Sequence, residues 1–357
     1  MATIRIENRV YQEEELQKGN CSEKDPYFQQ ALNFCQQWLS GEKSFKMPSS
    51  GSTGEPKDIL VDRKQMEVSA ASTRRFFQVP KGAKLLCCLN IGMVAGKMML
   101  VRGMEWDSEI YLVKPSENPL RDMEVSGFDF IAMVPMQVAA ALSEVKSLQI
   151  LKNTQTLIIG GAPSSPSLIQ KIAAHKIQAY QTYGMTETVS HIALAKINTL
   201  GLIYRTLPEV KIGTDSNQRL WIKAPMAGKK TLQTKDLVEI IDDQSFKWLG
   251  RADFTVNSGG IKLQPEIMEP KMTADFESVF GHVNFFLFGK VDEKLGQRLI
   301  LLVEASQKET EKERELLEKL KSLFDRYHLP KEIHYVKEFT RTPSGKINRP
   351  ETYKNCL

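Results

Sequence analysis

Residues 49–57 read Ser49-Ser50-Gly51-Ser52-Thr53-Gly54-Glu55-Pro56-Lys57. Six consecutive small or hydroxylated positions are followed, after Glu55 and Pro56, by a cation. Gly51 and Gly54 let the backbone curl in ways that side chains resist. Successive N–H groups in such a curl form a concave nest for anionic oxygens. Ser49, Ser50, Ser52 and Thr53 add hydroxyl donors, and Lys57 adds a point charge suited to phosphate. The chemistry on offer is polyphosphate binding. A Walker A loop needs Gly-Lys followed directly by Ser or Thr. Lys57 instead lies between Pro56 and Asp58, which removes that reading. By composition alone the run also describes a solvated Ser/Gly turn.

Other groups suited to chemistry are scattered along the chain. Glu187 carries the hard oxygen that Mg²⁺ prefers. Asp236 can accept hydrogen bonds from two neighbouring hydroxyls. Arg102 carries a guanidinium suited to bidentate carboxylate recognition. Each also has an ordinary reading. Taken singly, Glu187 is a surface residue, Arg102 a helix-surface residue and Lys346 a solvated tail lysine. Gly160-Gly161-Ala162 and Gly259-Gly260 read equally as plain turns.

Length and composition narrow the setting. A chain of 357 residues suits two domains. The net charge of +5 permits anionic ligands without demanding nucleic acid. No basic run interleaves with aromatics, so no nucleic-acid partner is expected. The start lacks an apolar h-region, so no secretory leader is expected. No apolar stretch approaches the roughly 20 residues of a membrane span. The five cysteines have no framework spacing, which suits reduced thiols in a cytoplasm. Cys87-Cys88 sits in an apolar run and reads as core. Without Cys-x-x-Cys, and with scattered histidines, no zinc site is expected.

These groups need elements to position them. Asp25-Pro26 reads as a helix start, followed by Phe28, Ala31, Leu32, Cys35 and Leu39 at helical spacing, with Gly41 as a stop. Asp62 with Gln65 predicts a capping box opening a helix over 63–77. Helices are also expected over 135–142, 166–174 and about 308–327, the last with Leu316, Leu320, Leu323 and Phe324 as its apolar face. Short apolar runs at 85–89, 128–134, 156–159 and 177–180 predict buried strands of a parallel sheet. Gly160-Gly161-Ala162 and Tyr183-Gly184-Met185-Thr186-Glu187-Thr188 directly follow two of them. Open α/β sheets bind ligands there, at strand carboxyl ends. Strands at 220–223, 237–241 and 246–249 form a small β unit. After Asp253 the pattern becomes α+β, with a strand at 298–303. The expected fold is therefore α/β: a large N-terminal domain, residues 1–252, with parallel-sheet layers plus the β unit, then a smaller C-terminal domain, residues 253–357.

The run 49–57 resembles the phosphate loop of the adenylate-forming superfamily, which includes acyl-CoA synthetases, adenylation domains and luciferases. Five further segments match that superfamily in order across nearly the whole chain. They are Gly160-Gly161-Ala162, Tyr183 to Thr188, Thr234-Lys235-Asp236, Gly250-Arg251-Ala252-Asp253 with Asn257-Ser258-Gly259-Gly260 behind it, and Thr342 to Arg349. The resemblance implies ATP, Mg²⁺ and coenzyme A as ligands. It implies that Tyr183, beside Gly184, packs on adenine and that Thr186 contacts the α-phosphate. It makes Glu187 the Mg²⁺ ligand. Gly160, Gly161 and Ala162 line the acyl and adenine pockets, and Asp236 and Arg251 hold the ribose. Asp253 becomes the hinge of a mobile C-terminal domain, Gly259 and Gly260 receive the pantetheine, and Lys346 bridges the reacting groups. Lys235 departs from the pattern, standing where the family has glycine.

The family implies two steps: an acyl-adenylate and pyrophosphate, then a CoA thioester and AMP. Most members carry more chain before the phosphate loop, so a shortened N-terminal part is expected. Compact members include o-succinylbenzoate–CoA ligases of menaquinone synthesis. The segment Gly96-Lys97-Met98-Met99-Leu100-Val101-Arg102 is similar to one there, whose arginine binds the second carboxylate. Lys97, Arg102 and Gly160 are thus the substrate candidates. Met93 departs from the histidine or aromatic that many members have there. Two alternatives remain: an adenylase that loads a carrier protein, and a truncated nucleotide-binding module without turnover. A homo-oligomer is left open.

Overall fold

The computed structural model describes residues 1–21, 23–48, 58–228, 230–342 and 347–356. Helix Pro26–Leu39 begins where Asp25 accepts the Tyr27 N–H at 2.9 Å. It buries Phe28, Ala31, Leu32, Phe34, Cys35 and Trp38, and the chain leaves it through Gly41 at φ +82°. Helix Arg63–Phe77 opens on the expected box: the Asp62 N–H donates to Gln65 Oε1 at 3.1 Å.

Strands Lys84–Cys87, Phe130–Met133, Leu157–Ile159 and Ala179–Gly184 pair in parallel. Successive side chains in a strand point to opposite faces. Leu85, Cys87, Phe130 and Ile158 therefore enter one apolar core, and Leu86, Cys88, Ile131 and Leu157 enter another. Cys87 and Cys88, both fully buried, serve opposite cores. A sheet covered on both faces explains why these strands read as unbroken apolar runs. Strands Glu109–Leu112 and Thr3–Ile6 continue the parallel part.

Beyond Ala179–Gly184 the sheet turns antiparallel through His191–Lys196, Tyr204–Thr206, Ser245–Arg251, Leu232–Asp242, Arg219–Lys223 and Lys211–Thr214. The small β unit is thus hydrogen-bonded onto the sheet, which would otherwise present an open edge. Among the described residues this sheet has thirteen strands.

A 3₁₀ turn, Ala252–Phe254, leads to a second sheet. There Ile261–Leu263, Val256–Ser258, Gly296–Glu304 and Phe285–Asp292 pair antiparallel, and Glu332–Val336 runs parallel to Gly296–Glu304. Helices Pro265–Phe280 and Thr310–Leu323 pack against it, with Leu316 and Leu320 buried. Leu323 is 43 % exposed, so that helix buries a narrower face than its spacing suggests. Among the described residues, no helix is long and apolar enough to cross a membrane.

Arg349 forms a bidentate pair with Glu269, both contacts at 2.7 Å, and its guanidinium lies over Phe254 and Phe286. The pair ties helix Arg349–Lys354 to helix Pro265–Phe280. Both side chains are 15 % exposed, so removing one strands the other's charge. Arg349→Met is expected to cost about 3–5 kcal/mol of unfolding free energy. The double variant Glu269→Leu/Arg349→Met should recover most of it. Urea unfolding measures both, and a single-variant loss below about 1 kcal/mol would show the pair to be surface-like.

Candidate active site

At the carboxyl end of Ala179–Gly184, the Tyr183 hydroxyl donates to Asp236 Oδ2 at 2.6 Å. The indole Nε1–H of Trp248 donates to the other oxygen at 3.2 Å. Asp236 faces Arg251 across the antiparallel pair Leu232–Asp242 and Ser245–Arg251, with Arg251 Nη1 4.0 Å away. Arg251 also grips Asp253, with both N···O contacts at 3.0 Å. Tyr183, Asp236, Arg251 and Asp253 thus form one contiguous cluster. Burial beside Asp236 pushes the Tyr183 phenol well up, so its hydroxyl keeps its proton and donates. Edge contacts with Phe246 and Tyr204 hold the ring. Lys235, at the departure from the family's glycine, is turned outward, and its ammonium lies 3.5 Å from Asp253. It leaves Asp236 unobstructed.

The next turn, Thr186–Thr188, buries Thr186 and exposes Glu187. The Glu187 carboxylate makes no hydrogen bond or ion pair among the described residues, which suits an oxygen kept for a hard cation. Gly184 is required by space: a Cβ there would lie 2.3 Å from the Ser190 carbonyl oxygen. Gly160 is required likewise, by the Thr182 hydroxyl at 2.6 Å, and Gly161 has φ +83°. The buried amide of Gln181 holds this glycine turn. It donates to the carbonyls of Ile159 and Ala162, both at 3.1 Å, and accepts from the Ser164 N–H and hydroxyl. Sequence reasoning missed Gln181. Its signal was its place two residues after the buried Ala179, on the same face of the strand.

Arg102, on helix Val94–Glu105, is 2 % exposed rather than on a helix surface. It has no carboxylate partner among the described residues. Its Nη2–H donates to Ser190 Oγ at 2.8 Å, Nη1 meets the Met99 sulfur at 3.6 Å, and Nε has no partner. Burial lowers its pKa to about 10. His191, behind Ser190, is fully buried. Its Nε2 lies 3.1 Å from the Thr73 hydroxyl and its Nδ1 3.4 Å from Ser190 Oγ. The hydroxyls of Ser69 and Ser72, on the same helix as Thr73, are buried without a partner.

The structure does not bring Lys97 to Arg102. Lys97 donates to the Lys46 carbonyl at 2.9 Å and lies over Phe34. It faces a cleft of about 750 Å³ beside helix Pro26–Leu39. Gly259 and Gly260, at φ +58° and +84°, make the two-residue turn of the hairpin Val256–Ser258/Ile261–Leu263. Gly260 has open space around it. Ser49, Ser50, Gly51, Ser52, Thr53, Gly54, Lys57 and Lys346 lie outside the described residues. Strands Ser44–Pro48 and Asp58–Asp62 pair antiparallel, with Pro48 opposite Asp58. Arg341 bridges to Ile347 across the segment holding Lys346.

Residues 3–222 match the family model described as AMP-binding enzyme. The chain is 25% identical over 334 residues to the 2-succinylbenzoate–CoA ligase of Listeria monocytogenes serotype 4b, spanning 87% of this chain and 70% of that one. It is 26% identical over 342 residues to that of Staphylococcus epidermidis, spanning 87% and 69%. Among solved structures it is similar to an acyl-CoA synthetase (AMP-forming)/AMP-acid ligase II-like protein from Dyadobacter fermentans. There identity is 39%, coverage 96% of this chain and 97% of that one, and the TM-score 0.63. It shares its fold with the O-succinylbenzoate coenzyme A synthetase of Bacillus subtilis in complex with ATP and magnesium ion, at 20% identity, 86% and 69% coverage and TM-score 0.70.

The His191 site carries a pH signature. Protonating Nδ1 would place a charge in a buried site beside Arg102, and the pKa is held well below the ordinary 6.5. The unfolded chain therefore binds the extra proton. Its contribution to stability is present above about pH 6.5 and lost as pH falls below it, at up to about 1.4 kcal/mol per pH unit. His191→Gln should flatten that part of the profile relative to wild type. Denaturant unfolding between pH 8 and pH 5 checks this, and parallel profiles would sink it.

Proposed function

The chain belongs to the AMP-binding enzyme family, and on that premise we propose that it is an AMP-forming acid–CoA ligase with o-succinylbenzoate as its acid. The observation that carries the choice of acid is Arg102. A desolvated cation without a counter-charge is costly. A second carboxylate on the substrate would neutralise it with charge-assisted hydrogen bonds. Similarity to ligases named for 2-succinylbenzoate supports the same reading.

In the first step a carboxylate oxygen of the acid attacks the α-phosphorus of ATP. The bond to the β-phosphate oxygen breaks, and its electron pair leaves with pyrophosphate. In the second step the thiol sulfur of CoA attacks the acyl carbon, the acyl–oxygen bond breaks, AMP departs and the thiol proton passes to solvent. The loop of residues 49–57 holds the β- and γ-phosphates. Tyr183 packs on adenine, Asp236 and Arg251 hold the ribose, and Thr186 meets the α-phosphate. Glu187 would hold Mg²⁺, whose charge would offset that of the phosphates. Lys346 stabilises the charge shared between carboxylate and α-phosphate. Residues 253–357 then rotate about Asp253, which withdraws Lys346 and presents Gly259 and Gly260 to the pantetheine.

Pyrophosphate release against a panel of acids tests the assignment. Release with o-succinylbenzoate and Mg-ATP alone, and thioester only when CoA is added, is expected. Silence with o-succinylbenzoate, alongside turnover of a monocarboxylate, would overturn the acid. A carrier-protein acceptor would show as adenylate formation with no CoA thioester. For the two-step scheme, Lys346→Ala is expected to abolish adenylate formation from ATP yet spare thioester formation from supplied acyl-adenylate. Equal loss in both half-reactions would contradict the alternation of the C-terminal part.

A further inference from the structure

Between the exposed Glu187 and the buried Arg102 stands a strained residue. Val189 has φ +64° and ψ −45°, a region that β-branched residues rarely enter. The Ser190 N–H donates to the Thr188 carbonyl at 2.7 Å, which closes a three-residue γ-turn of the strained, positive-φ kind. Such a conformation persists where its surroundings over-determine it. Here the Thr188 hydroxyl accepts the Met185 N–H at 3.0 Å and lies 2.7 Å from the Ser190 carbonyl. Gly184, lacking a side chain, lets that same carbonyl approach.

The turn aims Ser190 Oγ at Arg102. The hydrogen bonds behind it run in one direction. The Thr73 hydroxyl donates to the Ser69 carbonyl at 2.9 Å, so it accepts from His191 Nε2–H. That leaves His191 Nδ1 to accept from the Ser190 hydroxyl, and Ser190 Oγ to accept from Arg102 Nη2–H. A neutral His191 satisfies the whole chain. The guanidinium is thereby held from one side, while its Nε–H stays unpartnered.

We propose that Ser190 is a positioning residue: its hydroxyl, aimed by the turn at Val189, fixes the Arg102 guanidinium in the orientation that receives the second carboxylate of the acid. This rests on the dicarboxylate reading of the site. A serine serving only to fill the turn would affect every acid alike, whereas a positioning serine affects only those with a second carboxylate.

The test compares o-succinylbenzoate with 4-oxo-4-phenylbutanoate, the same skeleton without the ring carboxylate, in the full-length enzyme. Ser190→Ala is expected to raise KM for the dicarboxylate about tenfold with kcat little changed, because a hydrogen bond to a charged group is lost. KM for the monocarboxylate should stay within about twofold of wild type, well below a hydrogen bond's worth. Ser190→Thr, which keeps the hydroxyl, should restore the wild-type values. Thr188→Val, which unpins the turn and leaves Ser190 in place, should reproduce the split, so the result does not hang on one variant folding. Arg102→Met is run in parallel. If Arg102→Met separates the two acids and the Ser190 and Thr188 variants do not, Ser190 has no positioning role and the dicarboxylate reading stands. If Arg102→Met treats both acids alike, the reading beneath the proposal falls with it.

Discussion

A guanidinium held out of water, with no counter-ion among the described residues, is the constraint around which the surroundings of helix Val94–Glu105 are arranged. Arg102 is 2 % exposed, yet the groups that meet it are a hydroxyl, a thioether and the face of Phe130. A buried charge raises the free energy of the folded chain unless something answers it. The neighbours answer it only in part. Ser190 supplies one lone pair, and His191 stays neutral because burial disfavours its charged form and the charge of Arg102 adds to that. The unrelieved remainder favours an anion. The proposed preference for a second carboxylate thus rests on what surrounds Arg102 as much as on Arg102 itself.

The cluster around Asp236 is built on the opposite principle, with charges that nearly cancel. Asp236 and Asp253 face Arg251 and Lys235, and Tyr183 and Trp248 cap the Asp236 oxygens. Such a cluster holds its shape without a ligand, because each of its side chains is paired with another. The pairing of Leu232–Asp242 with Ser245–Arg251 brings Asp236 opposite Arg251. Attachment of these strands to the edge of the main sheet brings both to Tyr183. One side of the site is therefore preorganised and self-neutral, and the other carries an unbalanced positive charge.

Local chemistry was readable wherever it acts over a few residues. Asp25-Pro26 and the Asp62/Gln65 box start their helices where expected, because a cap and its donor lie within one turn. The central strands were legible as apolar runs because both of their faces are buried. Their ends shifted: the run at 85–89 pairs as Lys84–Cys87, and that at 177–180 extends as Ala179–Gly184. Strand ends depend on where a neighbour stops offering partners, which is not a property of the strand. Strand Thr3–Ile6 went unread because its parallel partner, Glu109–Leu112, is distant in the chain, and Gln181 because the carbonyls it holds belong to another segment; Arg9–Gln12 and helix Val94–Glu105 also went unread.

The sequence by itself determined the kinds of group available and their order: a hydroxyl-rich and glycine-rich run, glycine-rich segments after buried strands, an acid and an arginine near residue 250, and an arginine at position 102. Residue type and short spacing carry that information directly. Only the tertiary structure decided which of them meet. Lys97 and Arg102 are five residues apart on one helix and point to different surroundings, one to a cleft by Phe34 and the other into a buried polar pocket. Tyr183 and Asp236 are 53 residues apart and share a 2.6 Å hydrogen bond. Sheet pairing sets such contacts across long stretches of chain. Burial, which turned Arg102 from a helix-surface residue into a desolvated charge, is a property of the packed whole.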